Sequence, residues 1–171
     1  MKLTAPIKNA FFRFYVKLME LFGWGYWAYY PKKDRLIWTR KQCQIYGVQC
    51  ETKVKVGEYA MFDRCVLNDA FREHSRYAVE MSMKTHADFR QQFPVRHQTT
   101  EEIIFIEARG EWVFDERGEP FCLHGFNRKI TFPEKEFEPK LNQLTMSCIV
   151  GEWKRDGKVP DSFFPHGTAR S

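Results

Sequence analysis

Histidine and cysteine are the side chains of this sequence that can bind a metal ion or act as a nucleophile. The five histidines are scattered along the chain, and no two share a helix face at a spacing of four residues. The five cysteines form no C-x-x-C pair and no cysteine–histidine pattern at zinc-finger spacing. We therefore predict no metal site, and we interpret the cysteines as small buried apolar residues with free thiols.

Sequence motifs of the common enzyme classes are missing. There is no glycine-rich phosphate loop, no G-x-S-x-G nucleophile elbow and no H-E-x-x-H zinc helix. We predict a protein without catalytic activity. The alternative is a small α+β enzyme with a cone-like pocket, an isomerase or dehydratase, whose acid–base pair would be Asp69 with His74 or His97.

The composition is typical of one folded domain with extensions. The chain has 171 residues, of which 43% are hydrophobic and 29% are charged. Aromatic residues make up 16%, which predicts a thick core, a ligand cavity or an apolar interface. No apolar run reaches the roughly 20 residues that span a bilayer, and the N-terminus lacks the apolar segment of a secretory signal. Because the cysteines are also odd in number, we predict a cytoplasmic protein.

The net charge of +5 is concentrated near the N-terminus. Residues 1–47 hold nine Lys or Arg against two Asp or Glu. These basic residues form no continuous run, so we interpret them as a solvated helix face. We therefore predict no nucleic-acid partner.

Residues 8–22 are predicted to form an amphipathic helix that ends at Gly23. Its narrow polar stripe comprises Asn9, Arg13, Lys17 and Glu20. Because nearly every other position is large and apolar, the helix needs cover on two sides, by its own domain and by a second copy of the chain. We predict a homodimer with Phe12, Val16 and Met19 in the interface.

The remaining patterns predict an α+β fold with a five-stranded antiparallel sheet and helices on one face of it. The predicted strands are residues 24–30, 35–38, 88–97, 101–114 and 120–131. The predicted helices are residues 40–46 and 68–83, and the predicted turns are residues 31–34 and 115–118. Residues 48–67 carry no clear pattern. A further helix is predicted at residues 139–153, followed by a loose tail.

The strand at residues 101–114 shows a period of two. Its alternation predicts a buried face of Ile104, Ile106, Ala108 and Trp112. The opposite, solvated face is predicted to carry Glu107, Arg109 and Glu111. One side of this strand therefore faces the core.

These elements and their motifs resemble a PAS domain, in particular the bacterial sensory subgroup with tryptophan-rich strands. A Gly-x-Gly-x-Trp strand is matched loosely at residues 23–27, and Trp38-Thr39 opens a short helix that ends at Tyr46-Gly47. The closing hairpin matches most closely, with an aromatic residue and Ile-Glu-x-Arg-Gly at 105–110, and Asp-x-x-Gly-x-Pro at 115–120. Gly125 and Ile130-Thr131 continue the pattern. The resemblance covers about residues 22–131.

The resemblance implies a sensory or signalling module that binds a small molecule or a protein partner, such as a downstream signalling protein. It divides the chain into an N-terminal helix (1–22), a PAS-like domain (23–132) and a C-terminal extension (133–171). The implied pocket lies between the sheet and the helices. Our candidate pocket residues are Trp24, Phe71, His74, Met81, Phe93, Ile104, Ile106 and Leu123.

The resemblance leaves the cofactor open. We predict none, with haem or flavin as alternatives. His74 would be the haem ligand, because haem-binding PAS domains take it from the long helix, and the protein would then be a gas or redox sensor. The sequence around Cys65 matches the flavin-reactive motif of light-oxygen-voltage domains only weakly. Two positions depart from the family: only Asp69 remains of its usual His-Pro-Asp segment, and Lys129 replaces the aspartate that usually couples the sheet to an outgoing helix.

Overall fold

A computed structural model describes residues 10–133 and 135–143. The helices are α1 (Ala10–Leu21), α2 (Arg40–Tyr46), α3 (Ala60–Asp63), α4 (Asp69–Thr85) and α5 (135–143). The strands are β1 (Gly25–Tyr30), β2 (Arg35–Thr39), β3 (Val54–Gly57), β4 (Phe89–Arg96), β5 (Ile103–Phe114) and β6 (Pro120–Ile130). The predicted helix and strand order is therefore confirmed in outline.

All six strands form one antiparallel sheet with the order β3-β2-β1-β6-β5-β4. The predicted count of five was wrong, because β3 adds an edge strand beside β2. This strand has only four residues, and its two valines are more than one-third exposed, so it carries no buried face that a pattern could reveal. The first and last strands pair at the centre of the sheet, which brings the two ends of the domain together.

The two predicted turns form as expected. Between β1 and β2, Pro31–Lys33 forms a short 3-10 turn, and Asp34 adopts the left-handed conformation after it. Between β5 and β6, the Asp115 carboxylate accepts hydrogen bonds from the backbone N–H groups of Arg117 and Glu119. Gly118 has a φ of +75°, which a side chain would strain.

Helix α4 starts at a side-chain cap and is the longest helix described. The side-chain oxygen of Asn68, Oδ1, accepts a hydrogen bond from the backbone N–H of Phe71 at 3.1 Å. This N–H lies in the first turn and has no acceptor within the helix. The helix ends where His86 adopts the left-handed conformation. It therefore runs two residues beyond the predicted end.

The sheet separates two apolar clusters. Its inner face, covered by α2, α3 and α4, carries the main core, to which Ile104, Ile106 and Ala108 belong and against which Trp112 packs. The predicted buried face of β5 is confirmed. The outer face carries a smaller cluster built on Tyr26, Ala28, Ile37 and Cys122, against which Phe12 and Val16 of α1 pack. Hence the N-terminal helix lies on the side of the sheet opposite the other helices.

The chain after β6 returns to the outer face. Phe105 is buried there, and the rings of Phe132 and Phe137 meet it edge-on at 5.0 and 5.1 Å between centroids. The predicted helix at 139–153 starts earlier, since residues 135–143 are helical, and residues 144–153 lie outside the described part. The first two residues of the predicted helix at 8–22 also lie outside it.

Candidate functional site

A cavity of about 40 Å³ lies between the inner face of the sheet and helices α2 to α4. Its lining is Trp27, Tyr29, Leu36, Trp38, Gln42, Tyr59, Phe62, Ser75, Val79, Phe89, Phe93, Ala108, Leu123 and Asn127. A volume of this size holds a few water molecules at most. The aromatic residues that the composition singled out therefore fill most of the space under the sheet.

The predicted pocket residues divide into three groups. Phe93 and Leu123 line the cavity. Phe71, Ile104 and Ile106 are buried in the surrounding core without lining it. His74 and Met81 are only partly buried, and Trp24 lies on the outer face, so these three do not line the cavity.

Helix α4 is rotated relative to the sequence prediction. The prediction placed His74 and Met81 on its inner face, whereas the buried positions are Phe71, Ser75 and Ser82. Both sets have a helical spacing, and they differ by one residue after Phe71. The small hydroxyl residues let the helix approach the sheet, and Ser82 also accepts a hydrogen bond from the Trp112 indole N–H at 3.0 Å.

Trp24 lies on the outer face because it precedes β1 in the same phase as the outward-facing Tyr26. The guanidinium carbons of Arg109 and Arg128 lie 5.5 and 4.6 Å from its ring centroid. The Glu107 carboxylate binds both arginines. Burial raises the pKa of Glu107, but the hydrogen bonds from these two arginines lower it more, so the carboxylate stays charged. This cluster connects the segment after α1 to strands β5 and β6.

A chain of buried polar groups crosses the inner site. The Trp27 indole N–H donates to the side-chain oxygen of Asn127, Oδ1, at 2.7 Å. The side-chain nitrogen of Asn127, Nδ2, donates to the Tyr46 hydroxyl at 2.8 Å. Gln42 is also hydrogen-bonded to Tyr46, while its carbonyl oxygen has no hydrogen-bond partner within the described residues. Burial raises the pKa of Tyr46 well above its usual value, so this hydroxyl stays protonated. The site therefore offers one unused acceptor among apolar walls.

Aromatic rings from β1 and α3 form one wall of the cavity. The ring centroids of Tyr29 and Tyr59 lie 5.0 Å apart. The ring centroid of Phe62 lies 5.4 Å from that of Tyr59 and 5.6 Å from that of Phe93. The Tyr59 hydroxyl is hydrogen-bonded to Ser75, and burial raises its pKa. Tyr59 precedes α3 as its N-cap residue, and Phe62 lies within this helix of only four residues.

Asp69, His74 and His97, the acid–base residues of the enzyme alternative, do not line the cavity. Asp69 is exposed and pairs with Arg72. The His97 ring lies 3.3 Å from the Gln44 carbonyl oxygen and accepts a hydrogen bond from the Thr100 N–H. Among the described residues that line the cavity, none is Asp, Glu or His. Within the described residues, the cavity therefore carries no carboxylate or imidazole group.

The residues present do not fit haem or a covalently bound flavin. His74 does not line the cavity, whose volume is far below that of a macrocycle. The Cys65 thiol is buried, donates to the Met61 carbonyl oxygen at 3.5 Å and is not part of the lining. Within residues 10–133 and 135–143, no three His, Cys, Asp or Glu side chains are grouped to bind a metal ion.

Helix α1 packs on the outer face through Phe12 and Val16. Met19, the third predicted interface residue, lines a groove of about 290 Å³ beside this contact. These residues thus face the chain's own sheet. The large apolar residues exposed on the rest of α1 and just after it are Phe11, Phe14, Tyr15, Leu18, Leu21 and Phe22.

No helix in the described ranges has the length and apolar character of a membrane span.

His124 lies beneath α1 with its side chain 8% exposed. Its Nε2 is 3.6 Å from a Glu111 oxygen, while its Nδ1 has no partner in the described part of the chain. The rings of Phe12 and Tyr26 lie 5.8 and 6.0 Å from the imidazole. Burial lowers the pKa of His124, and Glu111 only partly opposes this shift. The contact between α1 and the sheet therefore favours the neutral imidazole.

We expect the free energy of unfolding to decrease as the pH falls from about 7.5 to 5.5, around the usual histidine pKa of about 6.5. A pKa that is lower in the folded state means that the unfolded chain binds more protons, so stability is lost as the pH falls towards the folded-state pKa. Urea titrations at both pH values measure this difference. In a His124→Gln variant the difference should shrink, and an unchanged difference would contradict the assignment to His124.

No family model matches the sequence, and no curated protein matches it. Solved structures do resemble its fold. A sensory box histidine kinase/response regulator from Burkholderia thailandensis matches with a TM-score of 0.56 and 16% identity, over 84% of this chain and 98% of that chain. A PAS domain from Colwellia psychrerythraea matches with a TM-score of 0.55 and 16% identity, over 71% and 98%.

A third similar structure is a domain of the putative light and redox sensing histidine kinase from Haloarcula marismortui. It matches with a TM-score of 0.52 and 16% identity, over 67% of this chain and 98% of that chain. At these low identities, the likeness to the three structures concerns the fold. The chain described here therefore folds as a PAS domain.

Proposed function

We propose that this protein is a non-catalytic sensory module whose inner cavity binds a small neutral molecule carrying an N–H or O–H donor. The observation behind this proposal is the side-chain oxygen of Gln42, Oε1. The residue is 1% exposed, and this oxygen has no hydrogen-bond partner within the described residues. A buried acceptor without a partner costs roughly 1–3 kcal/mol, so a ligand that donates to it recovers that cost. The sensory kinases among the similar structures support this function.

The ligand enters by moving the aromatic wall of Tyr29, Tyr59 and Phe62. A single benzene ring requires a cavity of about 150 Å³, several times the 40 Å³ present. Helix α3 carries Phe62 and is only four residues long, so few helical hydrogen bonds hold it in place. Outward displacement of this helix enlarges the cavity without disturbing the sheet.

The two central strands connect the cavity to α1. On β1, Trp27 lines the cavity while its neighbour Tyr26 contacts Phe12 of α1 at 5.4 Å between ring centroids. On β6, Asn127 lines the cavity while Phe126 contacts Tyr15 of α1 at 5.6 Å. Because neighbouring strand residues share one backbone, a ligand that displaces the inner pair also displaces the outer pair. Ligand binding therefore shifts the population of docked α1.

The exposed side of α1 is proposed to bind a second copy of the chain. Phe11, Phe14, Leu18 and Leu21 recur at spacings of three, four and three residues, which is the spacing of a two-helix seam. The same seam on a second copy supplies a self-complementary partner. The dimer therefore uses the face of α1 opposite Phe12 and Val16, and signals from the cavity reach it through α1.

Phenol and benzene test the cavity, because they differ only by the hydroxyl donor. We expect millimolar phenol to raise the melting temperature more than benzene does. In a Gln42→Leu variant this difference should disappear, while Gln44→Leu, at an exposed position of the same helix, should retain it. Equal shifts for the two compounds in the wild-type protein, or an unchanged difference in Gln42→Leu, would contradict the proposed ligand class.

A further inference from the structure

Two cysteine thiols meet at the end of helix α2. The helix stops at Gly47, whose φ is +68°, and the Val48 N–H donates to the Cys43 carbonyl oxygen at 2.9 Å. This reversal folds the following loop back along the helix. Cys50 thereby packs against the core cluster that contains Cys43, and the two thiols are hydrogen-bonded to each other. Both are free thiols in the structure.

The two thiols differ in their exposure to solvent. Cys43 is 1% exposed, and burial raises its pKa to about 12. Cys50 is only partly buried, on the loop that leads to β3, where its thiol donates to the Thr52 carbonyl oxygen at 3.2 Å. A dissolved oxidant therefore reaches Cys50 first, and Cys43 is held beside it. The other two cysteines within the described ranges, Cys65 and Cys122, are both buried.

We propose that Cys43 and Cys50 form a redox-active pair that closes into a disulfide when the protein meets a hydroperoxide. In the first step the Cys50 thiolate attacks one oxygen of hydrogen peroxide, and the O–O bond breaks. Cys50 becomes a sulfenic acid, and the hydroxide that leaves takes up one proton to form water. In the second step the Cys43 sulfur attacks the Cys50 sulfur. The hydroxyl group leaves as water with the Cys43 proton, so two thiols and one peroxide give one disulfide and two waters.

The disulfide would join α2 to the segment that leads into β3. Helix α2 also carries Gln42, which lines the inner cavity, so oxidation restrains one cavity wall without adding a group to it. The redox pair does not depend on the proposed ligand, since its geometry is set by the end of α2. It remains a property of this chain even if phenol fails to bind.

Peptide mass spectrometry tests the pair directly, because trypsin releases residues 42–53 as one peptide that contains both cysteines. The reduced protein, in a Cys148→Ser background, is treated with an equimolar amount of hydrogen peroxide, then unfolded in guanidinium chloride and alkylated. We expect the peptide to lose about 2 Da and to take no alkyl group. Dithiothreitol before alkylation should restore two alkylated cysteines. The Cys65 and Cys122 peptides of the same sample should remain alkylated and serve as internal controls.

A Cys43→Ser variant separates pairing from simple oxidation. Without its partner, Cys50 should accumulate as a sulfenic acid that dimedone traps, whereas the parent protein should give little dimedone adduct. The proposal is overturned if peroxide leaves both cysteines of the parent peptide open to alkylation. It is equally overturned if Cys50 becomes cross-linked to a second chain while Cys43 stays reduced.

Discussion

An Asn127→Leu variant is expected to lose about 2–5 kcal/mol of unfolding free energy. Asn127 is buried, and its side chain accepts from the Trp27 indole N–H and donates to the Tyr46 hydroxyl. Leucine has a similar volume but makes neither hydrogen bond, and each such bond lost at a buried polar group costs roughly 1–3 kcal/mol. This loss is a large fraction of the free energy of unfolding of a typical protein, which is about 5–15 kcal/mol. Urea unfolding followed by circular dichroism measures it.

A Trp27→Phe background provides the matched control for that prediction. With the indole N–H absent, Asn127→Leu removes only the hydrogen bond to the Tyr46 hydroxyl, so it should cost less than in the wild-type protein. The difference between the two costs is the coupling energy of the Trp27–Asn127 hydrogen bond. A wild-type loss below about 1 kcal/mol, or no coupling in the cycle, would contradict the buried polar chain.

A Phe14→Glu/Leu18→Glu variant is expected to be a monomer under conditions in which the wild-type protein is a dimer. Both residues lie on the exposed seam of α1, and two copies of each would meet in the proposed interface. Burying each apolar side chain contributes roughly 1.5–3 kcal/mol, and a buried glutamate adds a desolvation cost. The dissociation constant should therefore rise by at least about 100-fold, and light scattering at tens of micromolar should show the mass halve.

Arg13→Glu is the matched control for the seam, because it places the same charged residue on an exposed polar position of the same helix. It should leave the mass at that of a dimer. Two results would overturn the proposed interface: a wild-type protein that is already monomeric at these concentrations, or a double variant that still dimerises. Circular dichroism checks that the double variant remains folded, as expected from the exposed positions of both residues.

Local patterns predicted the parts of the fold that local physics determines. The alternation in β5 placed Ile106 and Glu107 on opposite faces, because side chains of a strand alternate whatever it packs against. The turns at Pro31 and Gly118 follow from backbone preferences alone. Strand β3 was missed since an exposed edge of four residues needs no apolar pattern, and its position follows from pairing with β2.

The site itself depends on tertiary packing, which the patterns leave open. Helix α4 accepts two inner faces one residue apart, and the fit of Ser75 beneath the sheet selects between them. Helix α1 is apolar almost all round, so only its docked position shows which side remains free. Asn127 carried one usable signal, a polar residue in phase with Leu123 on the inner side of β6. Gln42 had no such signal on its short helix.

The tryptophan indole N–H signals in a nitrogen–proton NMR spectrum test the central claim most directly, that a ligand enters the inner cavity. Trp27 and Trp38 line this cavity, whereas Trp24 lies on the outer face of the sheet beside Arg128. Each signal is assigned by a Trp→Phe variant, and phenol is then titrated into the wild-type protein. We predict saturable shifts of the Trp27 and Trp38 signals. Saturable shifts of Trp24 alone, or no saturable shift at all, would contradict the account.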